Sequence, residues 1–311
     1  MAFNHYLQES ISNKIGRLAV PLFFMISGYL FFLRCNNMAD VLKKQKKRVR
    51  TIFIPYLIAG LFLPLFLFFM TLIPETASFR NSSDNKFFDG RWYELIYRLY
   101  WDAGNGCPIG FHLWFLRDLI VIIVLTLLLF LIRKHENKGY ITCALLFVLS
   151  SFLSIPVISS LFWFLFGSYF LDKLCLKKSL GLWCLFFYIG ISAVELIYED
   201  VIWHYINIPM KVIGIIGFWN LYNYVVPDDF DLRQNKCFYI ACNYTFFIYL
   251  FHEPTLNIVR KLLVLPFHQS SLGFAFSYLI SPWVFAAIWI LVGVGSKTIF
   301  PKAYNICVGG R

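Results

Sequence analysis

The stretch Trp114-Phe-Leu-Arg-Asp-Leu-Ile-Val-Ile-Ile-Val-Leu-Thr-Leu-Leu-Leu-Phe-Leu-Ile-Arg133 decides what kind of protein this is. Its charges are confined to Arg117 and Asp118 near the start and Arg133 at the end. About 20 apolar residues in a row are what a helix needs to cross the hydrocarbon core of a bilayer. Working outward from it, similar runs lie near 18–34, 51–74, 140–156, 159–175, 180–197, 206–224, 237–253 and 273–296. With 114–132 they make about nine spans, so the expected fold is all-α, a polytopic membrane helix bundle. Two places are ambiguous: Pro156 parts two runs that also read as one broken element, and Pro209 and Lys211 interrupt another.

Composition agrees. Of 311 residues, 59% are apolar, 20% aromatic and only 14% charged, with a mean hydropathy of +0.66. Soluble domains carry about a quarter charged residues. These values exclude a secreted disulfide scaffold, a disordered regulator and an ordinary cytosolic enzyme. The net charge of +11 suits a nucleic-acid partner on its face, but basic residues gather in the inner loops of membrane proteins and give the same total. No nucleic-acid partner is expected; the partners are membrane lipids. The cysteines show no CxxC spacing, and Cys143, Cys175, Cys184 and Cys242 lie in or beside apolar runs. They read as small hydrophobes, with no metal site.

Lys and Arg set the sidedness. Arg34 and the run Lys43, Lys44, Lys46, Lys47, Arg48 and Arg50 share one short connection. Placing it inside also places Arg133, Lys134, Lys138, Lys173, Lys177, Lys178 and the C-terminus inside, and residues 1–17 outside. An outward, polar N-terminal stretch is unusual, and suggests that one span precedes this sequence. The longest connection, residues 75–111, is then an outer loop mixing charges with Trp92, Tyr93, Tyr97, Tyr100 and Trp101. It reads as an interfacial helix with rings at headgroup level; a sugar-binding surface is the alternative.

Three segments depart from generic membrane sequence: Arg17-Leu-Ala-Val-Pro21-Leu-Phe23-Phe24-Met-Ile-Ser27-Gly28-Tyr29-Leu, His112-Leu-Trp114-Phe115-Leu116-Arg117-Asp118-Leu119 and Asn243-Tyr-Thr-Phe246-Phe-Ile-Tyr249-Leu-Phe-His252-Glu253-Pro254. With the basic run leading into Thr51-Ile-Phe-Ile-Pro55-Tyr56, and with Phe162-Trp-Phe-Leu-Phe-Gly167, they resemble the acyltransferase-3 family of integral membrane acyltransferases. The resemblance runs in order along nearly the whole chain. It implies ten membrane helices in the family, an acyl-CoA donor (acetyl-CoA in the first instance), a glycan acceptor and a bacterial cytoplasmic (inner) membrane location. The family's histidine for acyl transfer comes from a first helix that has no match here; His5 is the one histidine before Arg17, and only a weak counterpart. Residues 1–311 therefore read as a single, N-terminally incomplete acyltransferase-like domain, either a fragment of an active enzyme or a degenerate copy.

The residues themselves support named roles. His112 and His252, at outer ends of spans, are candidate bases. Asp118 lies six positions after His112, off the i+3 and i+4 face, so a partner from another helix is expected for each. Arg17 is the candidate oxyanion stabiliser. Lys47, Arg48 and Arg50 are the candidate phosphate clamp, with lysine at the first position of the family's Arg-x-x-Arg pattern, which keeps charge but not the bidentate fork. Trp114, Tyr249 and Glu253 line the expected acceptor side. Ser27 and Gly28 read as a packing surface. Two rival functions share these features: a transporter or flippase for a lipid-linked sugar, and a non-catalytic partner in glycan assembly.

Overall fold

The computed structural model describes residues 16–73, 91–104, 106–153, 155–174, 178–197, 202–227, 229–253, 255–267 and 270–310. His5 and the first part of the outer loop, through residue 90, lie outside them. Among the described residues the chain is helical throughout, without strands. In a bilayer every backbone polar group needs an internal partner, and a helix supplies it within one segment.

Each apolar run is a helix. In chain order they are α1 (Arg17–Phe32), α3 (Ile54–Thr71), α5 (Trp114–Arg133), α6 (Glu136–Phe152), α7 (Pro156–Phe170), α8 (Lys178–Ile197), α9 (Ile202–Val225), α10 (Lys236–Phe251) and α12 (Ser271–Ile299). Four shorter helices are added: α2 (Met38–Arg48), α4 (Trp92–Tyr100), α11 (Thr255–Val264) and α13 (Pro301–Cys307). Pro156 begins α7, so the ambiguous pair is two helices, with proline at the first turn where its missing N–H costs nothing. Pro209 is accommodated inside α9. The basic run lies on α2 as far as Arg48 and, with Arg50, on the π-helical turn Val49–Phe53 that leads into α3.

By length and apolarity, Met38–Phe66, Phe111–Arg133 and Ser271–Ile299 are each able to cross a membrane, and Arg17–Phe32 and Ser179–Glu195 are shorter apolar helices. Leu272, Trp283, Leu291, Trp183 and Val124 are each more than two-thirds exposed. A soluble monomer rarely shows so much large apolar surface; lipid is the solvent that matches it. The described cysteines are all free.

The chain divides into two compact units, residues 1–45 with 121–231, and residues 46–120 with 232–311. In the first, α1 packs closely against α7. A Cβ added to Gly28 would overlap the Phe164 carbonyl, and one added to Gly167 would overlap the Met25 backbone. Each glycine thus lets the facing backbone in, the small-residue contact expected for Ser27-Gly28. Two of the segments that carried the family resemblance are partners in this single contact. In the second unit, Phe62, Phe247, Phe251, Trp289 and Tyr304 form an aromatic core between α3, α10, α12 and α13.

Gly28→Ala is expected to lower stability by about 1–3 kcal/mol, because the overlapped neighbour is backbone and cannot swing away. Gly190→Ala, whose added Cβ meets open space, is the control. Thermal melting in detergent checks this: equal melting points for the two variants would refute the contact.

Candidate active site

The second unit brings together His112, Tyr249 and His252. His112 lies on a short 3-10 turn, Phe111–Leu113, leading into α5, and is 8% exposed. Tyr249 is in the last turn of α10, and His252 caps that helix. The Tyr249 hydroxyl donates to the His112 carbonyl at 2.5 Å, and His112 Nε2 is 3.1 Å from the Leu250 carbonyl. These two bonds clip the head of α5 to the end of α10. His252 Nδ1 is 2.8 Å from the Tyr249 carbonyl. The two imidazole centroids are 4.5 Å apart, with the rings tilted at 57°.

A carbonyl oxygen only accepts, so in each neutral ring the nitrogen facing it carries the hydrogen. His112 is thereby held as the Nε2–H tautomer and His252 as the Nδ1–H tautomer. The opposite nitrogens keep their lone pairs. That of His112, Nδ1, is buried without a hydrogen-bond partner; the His252 ring is half-buried, and its Nε2 is not sealed in this way. The partners that orient both imidazoles are backbone carbonyls rather than carboxylates; that of His112 comes from another helix, α10, and that of His252 from the helix it caps.

Asp118 has a different setting. It is fully buried, and its Oδ1 accepts from Nε and Nη2 of the adjacent Arg117 at 3.0 and 2.8 Å. Arg117, itself 6% exposed, also donates through Nη1 to the carbonyls of Trp101 and Gly106, and lies 5.6 Å from the Trp101 ring. Asp102 holds the same loop from within by accepting from the backbone N–H of Gly104 and Gly106. Gly104 and Gly106 both have positive φ, 107° and 77°, which glycine adopts without strain. Arg117 and Asp118 therefore tie the end of the outer loop to the head of α5.

Glu253 accepts from Asn257 at 3.0 Å and sits beside His252 in the chain. Trp114 is half-buried at the start of α5. Arg17 belongs to the first unit, exposed at the head of α1, with Lys211 and Glu195 as charged neighbours there. On the basic run, Lys47 and Arg50 are exposed and Arg48 is half-buried. Lys44 is engaged within the fold, where its ammonium donates to the carbonyls of Phe31 and Leu33 at the end of α1. In the described part of the outer loop, α4 exposes Trp92, Tyr93, Ile96 and Tyr97 and buries Leu99, as an interfacial helix does.

A second clip went unread in the sequence. The Tyr56 hydroxyl donates to the Tyr100 carbonyl at 2.5 Å and the Tyr100 hydroxyl to the Leu57 carbonyl at 2.9 Å, holding α4 against α3. The signal was present in Pro55-Tyr56, but a lone tyrosine in an apolar run does not announce its partner. No group of three or more His, Cys, Asp and Glu side chains among the described residues is placed to hold a metal ion.

Apolar helices that expose their faces mark a membrane protein, and two imidazoles are paired at the end of one of those helices. The chain belongs to the acyltransferase-3 family, whose profile, described as an acyltransferase domain, matches residues 1–296. It is 24% identical over 324 positions to the succinoglycan biosynthesis protein ExoH of Rhizobium meliloti (strain 1021), covering 98% of this chain and 82% of that one. No solved structure matches it.

Removing one member of a buried ion pair strands the other and costs about 3–5 kcal/mol. Asp118→Ala is expected to destabilise the protein on that scale, and Tyr249→Phe by about 1 kcal/mol, the worth of one hydrogen bond. Chemical unfolding in detergent micelles, followed by tryptophan fluorescence, ranks the two. The reverse order would show that the clip, not the ion pair, holds this end of α5.

Proposed function

We propose that the protein is a membrane O-acyltransferase, in the bacterial cytoplasmic membrane, that moves an acyl group, acetyl in the first instance, from acyl-coenzyme A to a hydroxyl of a cell-surface or lipid-linked glycan. Membership of the family supports the acyl donor. The relative's part in succinoglycan biosynthesis supports a polysaccharide acceptor. The observation that carries the reading is the pair of imidazoles, each fixed in one tautomer by a carbonyl, with the His252 ring only half-buried.

In this reading His252 is the base. As the glycan oxygen attacks the thioester carbonyl, its proton passes to His252 Nε2. The imidazolium so formed is stabilised and held in orientation by its Nδ1–H bond to the Tyr249 carbonyl. A C–O ester bond forms, the C–S bond breaks, and the departing thiolate takes the proton from His252, which restores the neutral ring. His112 is a positioning residue that backs the His252 ring and pins the end of α10 through Leu250. Glu253 and Trp114 frame the acceptor side, and Asp118 acts through Arg117 on the loop above. Lys47, Arg48 and Arg50 draw the donor's phosphates to the inner face.

Membranes carrying the expressed protein, given labelled acetyl-coenzyme A and acceptor glycan, are expected to yield acetylated glycan. A general base contributes about 10²–10⁴-fold, so His252→Asn should lose activity on that scale. His112→Gln, whose Nε2 amide can still donate to the Leu250 carbonyl, should retain substantially more. Unchanged transfer in His252→Asn would falsify the assignment of the base.

A further inference from the structure

The first unit contains a cleft that neither the imidazole pair nor the basic run accounts for. Its volume is about 830 Å³, within the range of small-molecule pockets. It is built where three connections meet: the end of α1 with the turn after it, the α5–α6 turn, and the end of α7. By the distribution of Lys and Arg, all three are inner-face connections.

Its walls combine positive charge with aromatic faces. Arg34, Arg133, Lys134 and Lys173 line it against the carboxylates of Glu136 and Asp172, which leaves a net positive lining. Tyr29, Tyr140 and Tyr169 supply ring surface. Arg133 is set rigidly, its guanidinium 5.1 Å from the Phe32 ring and 5.4 Å from the Tyr169 ring, with one nitrogen donating to the Ser168 carbonyl. Arg133 Nε and the Tyr169 hydroxyl are buried with no hydrogen-bond partner. Buried polar groups left in that state call for an explanation.

Arg34 gives the sharpest indication. It follows the end of α1 with φ of 60°, and among the described non-glycine residues it alone has positive φ. The position after a helix C-cap is one where glycine relieves the strain of the left-handed region. A long cation held there against its backbone preference points to a use for the charge.

We propose that this cleft binds a nucleoside phosphate, the nucleotide end of the acyl donor, with Arg34 and Lys134 on phosphate oxygens and tyrosine faces against the base. The identity of the ligand rests on the acyl-coenzyme A reading above; the cleft's preference for a phosphate ester with an aromatic base does not depend on His252. A phospholipid headgroup shares the phosphate but has no aromatic base.

The test is calorimetric titration of the full chain in phosphatidylcholine nanodiscs with coenzyme A, and with adenosine 3′,5′-bisphosphate as competitor. Both should bind at one site. Arg34→Gly and Lys134→Gln should each weaken binding tenfold or more, and Arg34→Gly should do so while leaving the melting temperature unchanged or raised, because glycine relieves the backbone. A folding defect cannot imitate that pairing. If coenzyme A binds the parent protein and both variants equally, the cleft is not its site, and the donor reading survives. If coenzyme A binds none of them, the cleft proposal and the donor reading fall together. If phosphatidylglycerol raises the melting temperature in an Arg34-dependent way while neither nucleotide binds, the site is a lipid site and the nucleotide proposal is overturned.

Discussion

The carbonyl groups at the ends of helices organise this protein. A helix in lipid satisfies its own backbone except at its two ends, and at the last turn up to four carbonyls are left without intrahelical partners. Here the polar side chains of the sequence are drawn to main-chain oxygens at or near those ends. Lys44 donates to Phe31 and Leu33, Arg133 to Ser168, Arg117 to Trp101 and Gly106, and His112 to Leu250. Tyr249, Tyr56 and Tyr100 do the same with their hydroxyls. Where the acceptor lies in a last turn, as Phe31, Ser168 and Leu250 do, the bond serves a carbonyl at the end of its helix as well as the donor. In a medium that offers little water, the two must find each other.

That constraint explains which parts of the structure were legible in the sequence. Spans were, because hydropathy over 15–25 residues depends only on local composition; Pro156 marked a break because proline is favoured at a first helical turn. The Gly28–Gly167 contact was half legible. Small residues in an apolar run indicate packing, but which two helices meet is a property of the whole chain. The orientation of the histidines was not legible at all. Sequence reasoning sought carboxylate partners, because a charge is visible in a sequence and a backbone carbonyl is the same at every position. Asp118 shows the same bias. Its separation from His112 pointed to a distant partner, while its Oδ1 is gripped by the residue immediately before it, through a guanidinium long enough to fold back.

The cleft in the first unit was hidden for a related reason. Arg34, Arg133, Lys134 and Lys173 were all noticed, but the charge asymmetry of membrane loops already accounted for each of them. An explanation sufficient for every residue singly said nothing about their convergence. Backbone geometry separates the cases. A lysine that only sets topology has no reason to be held in a particular conformation, whereas Arg34 sits at positive φ and Arg133 between two rings.

The asymmetry between the two imidazoles is the last consequence of carbonyl pairing. Had either ring faced a carboxylate, it would have been biased toward the imidazolium, and a protonated ring cannot act as a base. A carbonyl fixes the tautomer without bringing a full negative charge. The free nitrogen of His112 is sealed in the protein, while the His252 ring is only half-buried. On the proposed mechanism, similar residues in similar motifs take a reactive and a supporting role according to which ring nitrogen meets the backbone and how deeply each ring is buried.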